Sequence, residues 1–386
     1  MGIPSGKPFH ARDRDGAGCP HDRREASPQR RRRFRACLSA ALVCAAIPAG
    51  ADTLRIATWT PDLTRAGPGL LWRDIDTGRD RQITAAVQVV AQTNPDILLL
   101  TGFDWDYEGR ALRAFEAQLA AAGAGYPHLF APRPNTGMAT GLDMDGNGRR
   151  GEPRDAQGYG RFSGAGGMAV LSRYPLLSDE ARDFSTMLWR DLPDALSAGA
   201  GLSPQVAAVQ RLSTTAHWDL PVLLPDGRRL HLWAWAATPP VFDGPEDRNG
   251  RRNHDEAAFW LRYLDGRLPQ RPTPGPFVLL GDANLDPADG EGRPEALRAL
   301  LAHPRLQDPK PASKGGRAAA DPGQRGDPGL DTADYGDPPG NLRVDYVLPS
   351  RDLVVTGAGV VWPVTEAADT ATASRHHLVW VDITLP

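Results

Sequence analysis

The run Phe277-Val278-Leu279-Leu280, followed at once by Gly281-Asp282-Ala283-Asn284-Leu285-Asp286-Pro287, decides how this 386-residue chain folds. Four consecutive apolar residues closed by Gly and Asp predict a short strand buried on both faces. Ile97-Leu98-Leu99-Leu100, introduced by Pro95-Asp96, repeats the pattern. Strands of this kind need cover on both sides, which predicts a layered α/β protein. An Asp and an Asn two apart at a strand end point the same way, so Asp282 and Asn284 are candidate site residues. Asp345, in Leu342-Arg343-Val344-Asp345-Tyr346-Val347-Leu348, can orient a ring such as His376 of Ser374-Arg375-His376-His377.

Working outward, Leu54 to Trp59 predicts a strand that ends at the breaker Thr60-Pro61-Asp62. Ile83, Ala86, Val87 and Val90 recur at helical spacing and predict a helix over 80–92, and a second helix is expected near 109–122. Met168 to Ser172 reads as a further strand. Pro225-Asp226-Gly227 is placed to turn a hairpin between 220–224 and 230–237, with Trp233 and Trp235 packing in the core. Another helix is expected to start near Asn253 as its cap and to bury Ala257, Trp260, Leu261 and Leu264. A Pro294-initiated helix carries Leu297, Leu300 and Leu301, and strands surround Val344, Val354 and Val379. The Gly/Pro/Asp-rich stretch from Pro309 to Gly340 lacks periodicity and reads as a mobile surface loop near the site.

The first 51 residues differ from the rest. Arg30 to Arg33 with Arg35 precede an apolar stretch from Ala36 to Ile47, and Ala49-Gly50-Ala51 offers small residues before Asp52. This is the pattern of a signal peptide. The apolar stretch is about a dozen residues, well short of the ~20 that span a bilayer, so a secreted or periplasmic protein is expected, with no transmembrane segment after signal removal. Cys19, Cys37 and Cys44 all precede the cleavage point, which leaves residues 52–386 without disulfides or thiol catalysis. The leader holds ten Lys/Arg and four Asp/Glu, leaving 34 basic and 43 acidic residues and a net charge of −9 with His neutral. Such a body repels polyphosphate chains, so bulk nucleic acid is not an expected partner. No linker divides 52–386, which reads as one domain.

In order, Ala57-Thr58-Trp59, Pro95 to Leu100, Gly167 to Pro175, Thr238 to Asn249, Gly281 to Pro287, Arg343 to Leu348 and Ser374 to His377 resemble the endonuclease/exonuclease/phosphatase superfamily. The resemblance implies a four-layer α/β sandwich: two mixed sheets packed face to face, with helices outside. It also implies a phosphoesterase (hydrolase) site. In such a site a Glu and an Asp hold magnesium, a His oriented by an Asp moves the proton, and Asp and Asn position the attacking water. Asp282, Asn284, Asp345 and His376 match as catalytic residues.

Four positions depart from that pattern. Thr60 stands for an Asn, Gly102 for the metal-binding Glu, Ala236 for a second His, and Arg375 for the Asp before the last His. Fewer carboxylates and an added guanidinium weaken magnesium binding, so a weak or inactive enzyme, a pseudoenzyme, is expected. The active magnesium-dependent phosphoesterase is the alternative, and a small phosphoester or anion is the expected ligand in either case. Asp282 is the remaining metal candidate. Asp104, two residues beyond Gly102, replaces the Glu only if the strand end bends; otherwise it is an exposed loop Asp. Thr60 and Arg375 are the candidate substrate-binding residues, since a guanidinium fork suits phosphate, and Arg375 is otherwise expected to pair with Asp282. Asp143-x-Asp145-x-Asn147-Gly148 resembles the start of a calcium loop. Arg154 falls where a bidentate Glu belongs, so a solvated turn is preferred to a bound calcium at Asp143, Asp145 and Asn147.

Export is directly testable. N-terminal sequencing of the protein recovered outside the cytoplasm is expected to begin near Asp52; an intact leader on cytosolic protein would overturn this.

Overall fold

A computed structural model describes residues 53–336, 338–364 and 372–385. The basic leader and its cleavage point lie outside the described residues. In chain order the strands are β1 (Leu54–Trp59), β2 (Ile97–Phe103), β3 (His128–Phe130), β4 (Gly167–Ser172), β5 (Arg182–Asp183), β6 (Ala216–Leu223) and β7 (Arg229–Ala236). They continue with β8 (Phe277–Asp282), β9 (Ala333–Asp334), β10 (Asn341–Leu342), β11 (Asp345–Pro349), β12 (Val354–Val360) and β13 (Val379–Thr384). The α-helices are α1 (Leu70–Thr77), α2 (Arg81–Thr93), α3 (Arg110–Ala121), α4 (Pro204–Ala207), α5 (Arg248–Leu264), α6 (Glu295–Leu301) and α7 (Lys314–Ala318).

Two large mixed sheets result. One runs β12-β13-β1-β2-β4-β3 and the other β11-β8-β7-β6-β5. The continuous apolar runs explain the layering. On β2, Ile97 and Leu99 face the other sheet and meet residues such as Leu232, Val278 and Leu280, while Leu98 and Leu100 face outward beneath Ile75, Val87 and Phe115 of the helices α1 to α3. On β8, Phe277 and Leu279 turn outward to α5 and α6. The order of layers is helices, sheet, sheet, helices, the sandwich that both runs demanded.

Trp233 and Trp235 are buried in the second outer core. The Trp233 ring stacks between Trp260 at 5.7 Å and Phe277 at 3.8 Å. Each such pair contributes about 0.5–1.5 kcal/mol beyond its buried area, which fixes α5 against its sheet. Asp80 caps α2 by accepting from the Ile83 amide at 3.0 Å, and the 225–227 turn closes the β6–β7 hairpin through Gly227 N–H to Leu224 O at 2.9 Å.

Two expectations are corrected. The helix expected near Asn253 starts at Arg248, because its first turns carry arginines and show no apolar stripe until Ala257. Asn253 is a buried clamp inside it, donating from Nδ2 to Thr238 O at 2.7 Å and to Ala283 O at 2.8 Å. The stretch from Pro309 to Gly340 is not a bare loop. It forms α7 and β9, held by polar bonds that leave no periodic signal, such as Ser313 Oγ accepting from the Gly316 amide at 2.9 Å. Among the described residues, no helix is long and apolar enough to cross a membrane.

Candidate active site

The ends of β8 and β11 meet in antiparallel register, which sets Asp282 opposite Asp345. Gly281 precedes Asp282 because the sheet is tight there: a Cβ on it would lie 1.8 Å from the Trp235 carbonyl oxygen. Ala236, alongside Asp282 on β7, adds no polar group. Beyond β8 the chain turns through Asn284 in the left-handed region, φ 49°, which Asn tolerates better than most residues. Its backbone amide donates to Asp282 Oδ1 at 2.7 Å and its Nδ2 to Asp282 Oδ2 at 2.9 Å. Both Asp282 oxygens are therefore engaged by one residue.

His376 arrives from the other sheet, just before β13. Trp59 Nε1 donates to its carbonyl at 2.9 Å, and the Ser374 hydroxyl accepts from its amide at 3.0 Å. With the backbone fixed, Nδ1 lies 2.9 Å from Asp345 Oδ2. Thr332 Oγ1 donates to that same oxygen at 2.9 Å, and Thr60 Oγ1 donates to Asp345 Oδ1 at 3.3 Å. The far nitrogen, Nε2, is 3.1 Å from the Tyr335 hydroxyl. Asp282, Asn284, Asp345 and His376 thus converge in one buried cluster, with Thr60 at its edge.

Electrostatics follow from burial. Desolvation raises the Asp282 carboxyl and the neighbouring Asp345 charge raises it further, to about 7 against the opposing pull of His376. For His376, burial alone would lower the imidazolium. The charge and hydrogen bond of Asp345, with Asp282 and Asp62 behind them, outweigh it and hold the ring up at about 9. The result is a cationic ring between acids, with one ring nitrogen committed to Asp345.

The remaining sequence candidates fall elsewhere. Arg375 does not pair with Asp282. It is largely exposed, 3.5 Å from Asp62, and its guanidinium lies over the Tyr335 ring, because the residue before an inward His must point outward. Asp104 is not an exposed loop residue but is buried. β2 breaks register between Leu100 and Phe103, and the bend swings Asp104 under the chain, where it accepts from the Arg65 and Gly166 amides at 2.8 and 2.9 Å. Burial raises its carboxyl to about 6. At the bend, Gly102 adopts φ +60°, and a Cβ there would lie 3.0 Å from Thr60 Cγ2. The Thr60 and Thr101 hydroxyls bond to each other at 2.5 Å beside it.

Sequence reasoning missed Thr332 and Tyr335, which sit in the stretch taken for a mobile loop, and Asp62, taken only as a turn residue. In the Asp143 loop it missed Asp155. Carboxylate oxygens of Asp143, Asp145 and Asp155 all lie within 4.8 Å of one another. Arg154 turns away toward Phe242 O. An Asp one position beyond the expected last ligand was the available signal.

With the geometry in place, comparison is informative. The family model for the Endonuclease/Exonuclease/phosphatase family matches residues 71–376. A crystal structure of an endonuclease/exonuclease/phosphatase from Beutenbergia cavernae is 18% identical, with TM-score 0.52, covering 86% of this chain and 72% of that one. A family protein from Bacteroides thetaiotaomicron is 15% identical, with TM-score 0.49 over 87% of this chain and 98% of its own. The human Nocturnin catalytic domain is 13% identical, with TM-score 0.47 over 86% and 95%. Such identities speak to the fold alone. No curated protein sequence matches the chain.

The His376–Asp345 contact sets a pH dependence. With the folded-state value held near 9, above the ordinary 6.5, the ion pair stabilises the fold fully below pH ~6.5 and its contribution is lost as pH rises through about 9. An NMR titration of the ring is expected to show a midpoint near 9, and Asp345→Asn should lower it, because only Asp282 and Asp62 then oppose burial. A wild-type midpoint at or below 6.5 would contradict the assignment.

Proposed function

The chain belongs to the endonuclease/exonuclease/phosphatase family, and from that premise we propose an exported protein that keeps the Asp345–His376 pair but does not hydrolyse phosphoesters with magnesium. The observation carrying this reading is the bend at Gly102. The position that the family resemblance assigns to a metal-binding Glu has no side chain, and the Thr60 methyl crowds the place where one would start.

The donor set does not fit magnesium. That ion demands near-octahedral oxygen donors at about 2.0–2.1 Å. Asp282, Asp345 and His376 bring ligand atoms within 4.8 Å of one another, but the set offers two carboxylates and a ring nitrogen rather than an oxygen cage, and each carboxylate oxygen already accepts a hydrogen bond from Asn284, Thr332, His376 or Thr60. Asp62 Oδ2 accepts from the Ser374 hydroxyl at 3.2 Å and faces Arg375. At the mouth, the exposed Arg375 fork beside Tyr335 offers a docking point for one small oxyanion, such as a phosphoester, while the net charge of residues 52–386 disfavours nucleic acid.

Hydrolysis of a generic phosphodiester is expected to stay near background, with no response to magnesium or EDTA. Gly102→Glu alone should leave magnesium uptake undetectable by calorimetry and cost about 1–3 kcal/mol of stability, since it strains a left-handed position and overpacks Thr60. Adding Thr60→Ser removes the methyl and should restore part of that stability, more than the single change contributes by itself. Robust magnesium-dependent turnover by the unmodified protein, abolished by His376→Ala, would return the chain to the active enzymes.

A second reading belongs to the Asp143 loop. The convergence of Asp143, Asp145 and Asp155, added to the alternating Asp143-Asp145-Asn147 pattern, favours calcium over the solvated turn that Arg154 suggested. Calcium is expected to bind with a Kd on the order of 10⁻⁴ to 10⁻³ M, in the range of extracellular modules, and to raise the unfolding temperature. Both effects should vanish in Asp155→Asn. Calcium-insensitive unfolding would restore the solvated turn.

A further inference from the structure

A cavity of about 900 Å³ opens beside the cluster, between the Asp143 loop, the chain around α4, the 238–246 turn and the start of α5. None of Asp282, Asn284, Asp345 and His376 lines it. Nothing in the family's chemistry, as the preceding residues carry it, uses this space.

Its rim bears two aromatic side chains left in solvent: Phe242, 76% exposed, and Tyr159, 61% exposed. Phe242 is the more informative, because its backbone sits at φ +72°. Bulky residues avoid that region, and Gly or Asn would hold the turn with less strain. A strained, exposed Phe serves neither the core nor the turn, and such outliers cluster at ligand sites.

The lining identifies the ligand class. Four carboxylates, those of Asp143, Asp145, Asp243 and Glu246, face three guanidiniums, those of Arg154, Arg248 and Arg252. The sum stays within one charge of neutral whether or not a divalent ion occupies the Asp143 loop. Arg248 is spent on the wall, donating to Met144 O at 2.6 Å and Gln210 Oε1 at 2.7 Å, and Arg252 is likewise consumed by backbone carbonyls. An anion therefore finds little free positive charge, and a cation finds little net negative charge. The Asn147 and Asn249 amides are bonded within the wall, but the interspersed carboxylates keep spare lone pairs and the Ser203 hydroxyl, which accepts from the Val206 amide, keeps its proton, so the lining suits groups that both donate and accept, as hydroxyls do. Flat aromatic faces suit the C–H face of a ring. We propose that this cavity binds a neutral, polyhydroxylated ring, the glycosyl part of a glycan, with Phe242 as the stacking platform. The site is distinct from the His376 cluster and stands whether or not that cluster turns over a phosphoester.

The test uses the full-length protein purified after leader removal, with neutral methyl glycosides (glucoside, galactoside, mannoside and N-acetylglucosaminide) as probes, and choline and inorganic phosphate as contrasts. Saturation-transfer NMR is expected to show transfer to the ring C–H protons of at least one glycoside. Its affinity should fall at least tenfold in Phe242→Gly and change less than threefold in Phe242→Tyr. Because Gly suits φ +72°, Phe242→Gly should unfold no earlier than wild type, so lost binding cannot be charged to misfolding. His376→Ala should leave glycoside binding unchanged. The proposal is overturned if no glycoside shows transfer, if Phe242→Gly binds as wild type does, or if choline or phosphate occupies the cavity in a Phe242-dependent way while the glycosides do not.

Discussion

The hydrogen bond between Asp345 and His376 joins the two sheets at the point where both are open to chemistry. Asp345 stands on the strand paired with β8, and His376 stands on the approach to β13 of the other sheet. A buried carboxylate is tolerable only if its oxygens are satisfied, and Thr60, Thr332 and His376 satisfy it from three separate segments. Removing one partner of a buried pair typically costs about 3–5 kcal/mol, because the other charge is left uncompensated. The cluster therefore has a structural role of its own, whatever its chemistry.

The bend at Gly102 has the opposite character. A left-handed glycine, a register shift and two threonine hydroxyls bonded to each other make a self-contained local solution that asks nothing of a cation. It also disposes of Asp104, whose two backbone partners brace the 65 and 166 turns. Arg375 points away from Asp282, so its charge meets Asp62 and the Tyr335 ring. The strained Phe242 at the neighbouring cavity contrasts with this, since there the backbone holds an unfavourable conformation in order to keep a side chain in solvent.

What the sequence by itself determined was whatever depends on period and run length. Ile97–Leu100 and Phe277–Leu280 announce strands buried on both faces, the 225–227 turn announces its hairpin, and Ile83 to Val90 announces α2, because burial writes itself directly into residue order. Asp282, Asn284, Asp345 and His376 were legible for a related reason: they flank those strands, and strand ends fix where side chains go. Tertiary structure alone decided the rest. Thr332 and Tyr335 reach the cluster from a segment held by polar bonds with no periodic signature, and Asp155 joins Asp143 only through the path of a turn. The partner of Arg375 was set by the path of the chain before His376, and the fate of Asp104 by the bend at Gly102. Local pattern can say which faces a strand buries, but not where a glycine will break its register or which residue will crowd it: the Thr60 methyl, 3.0 Å from where a Cβ on Gly102 would sit, comes from 42 positions away in the chain.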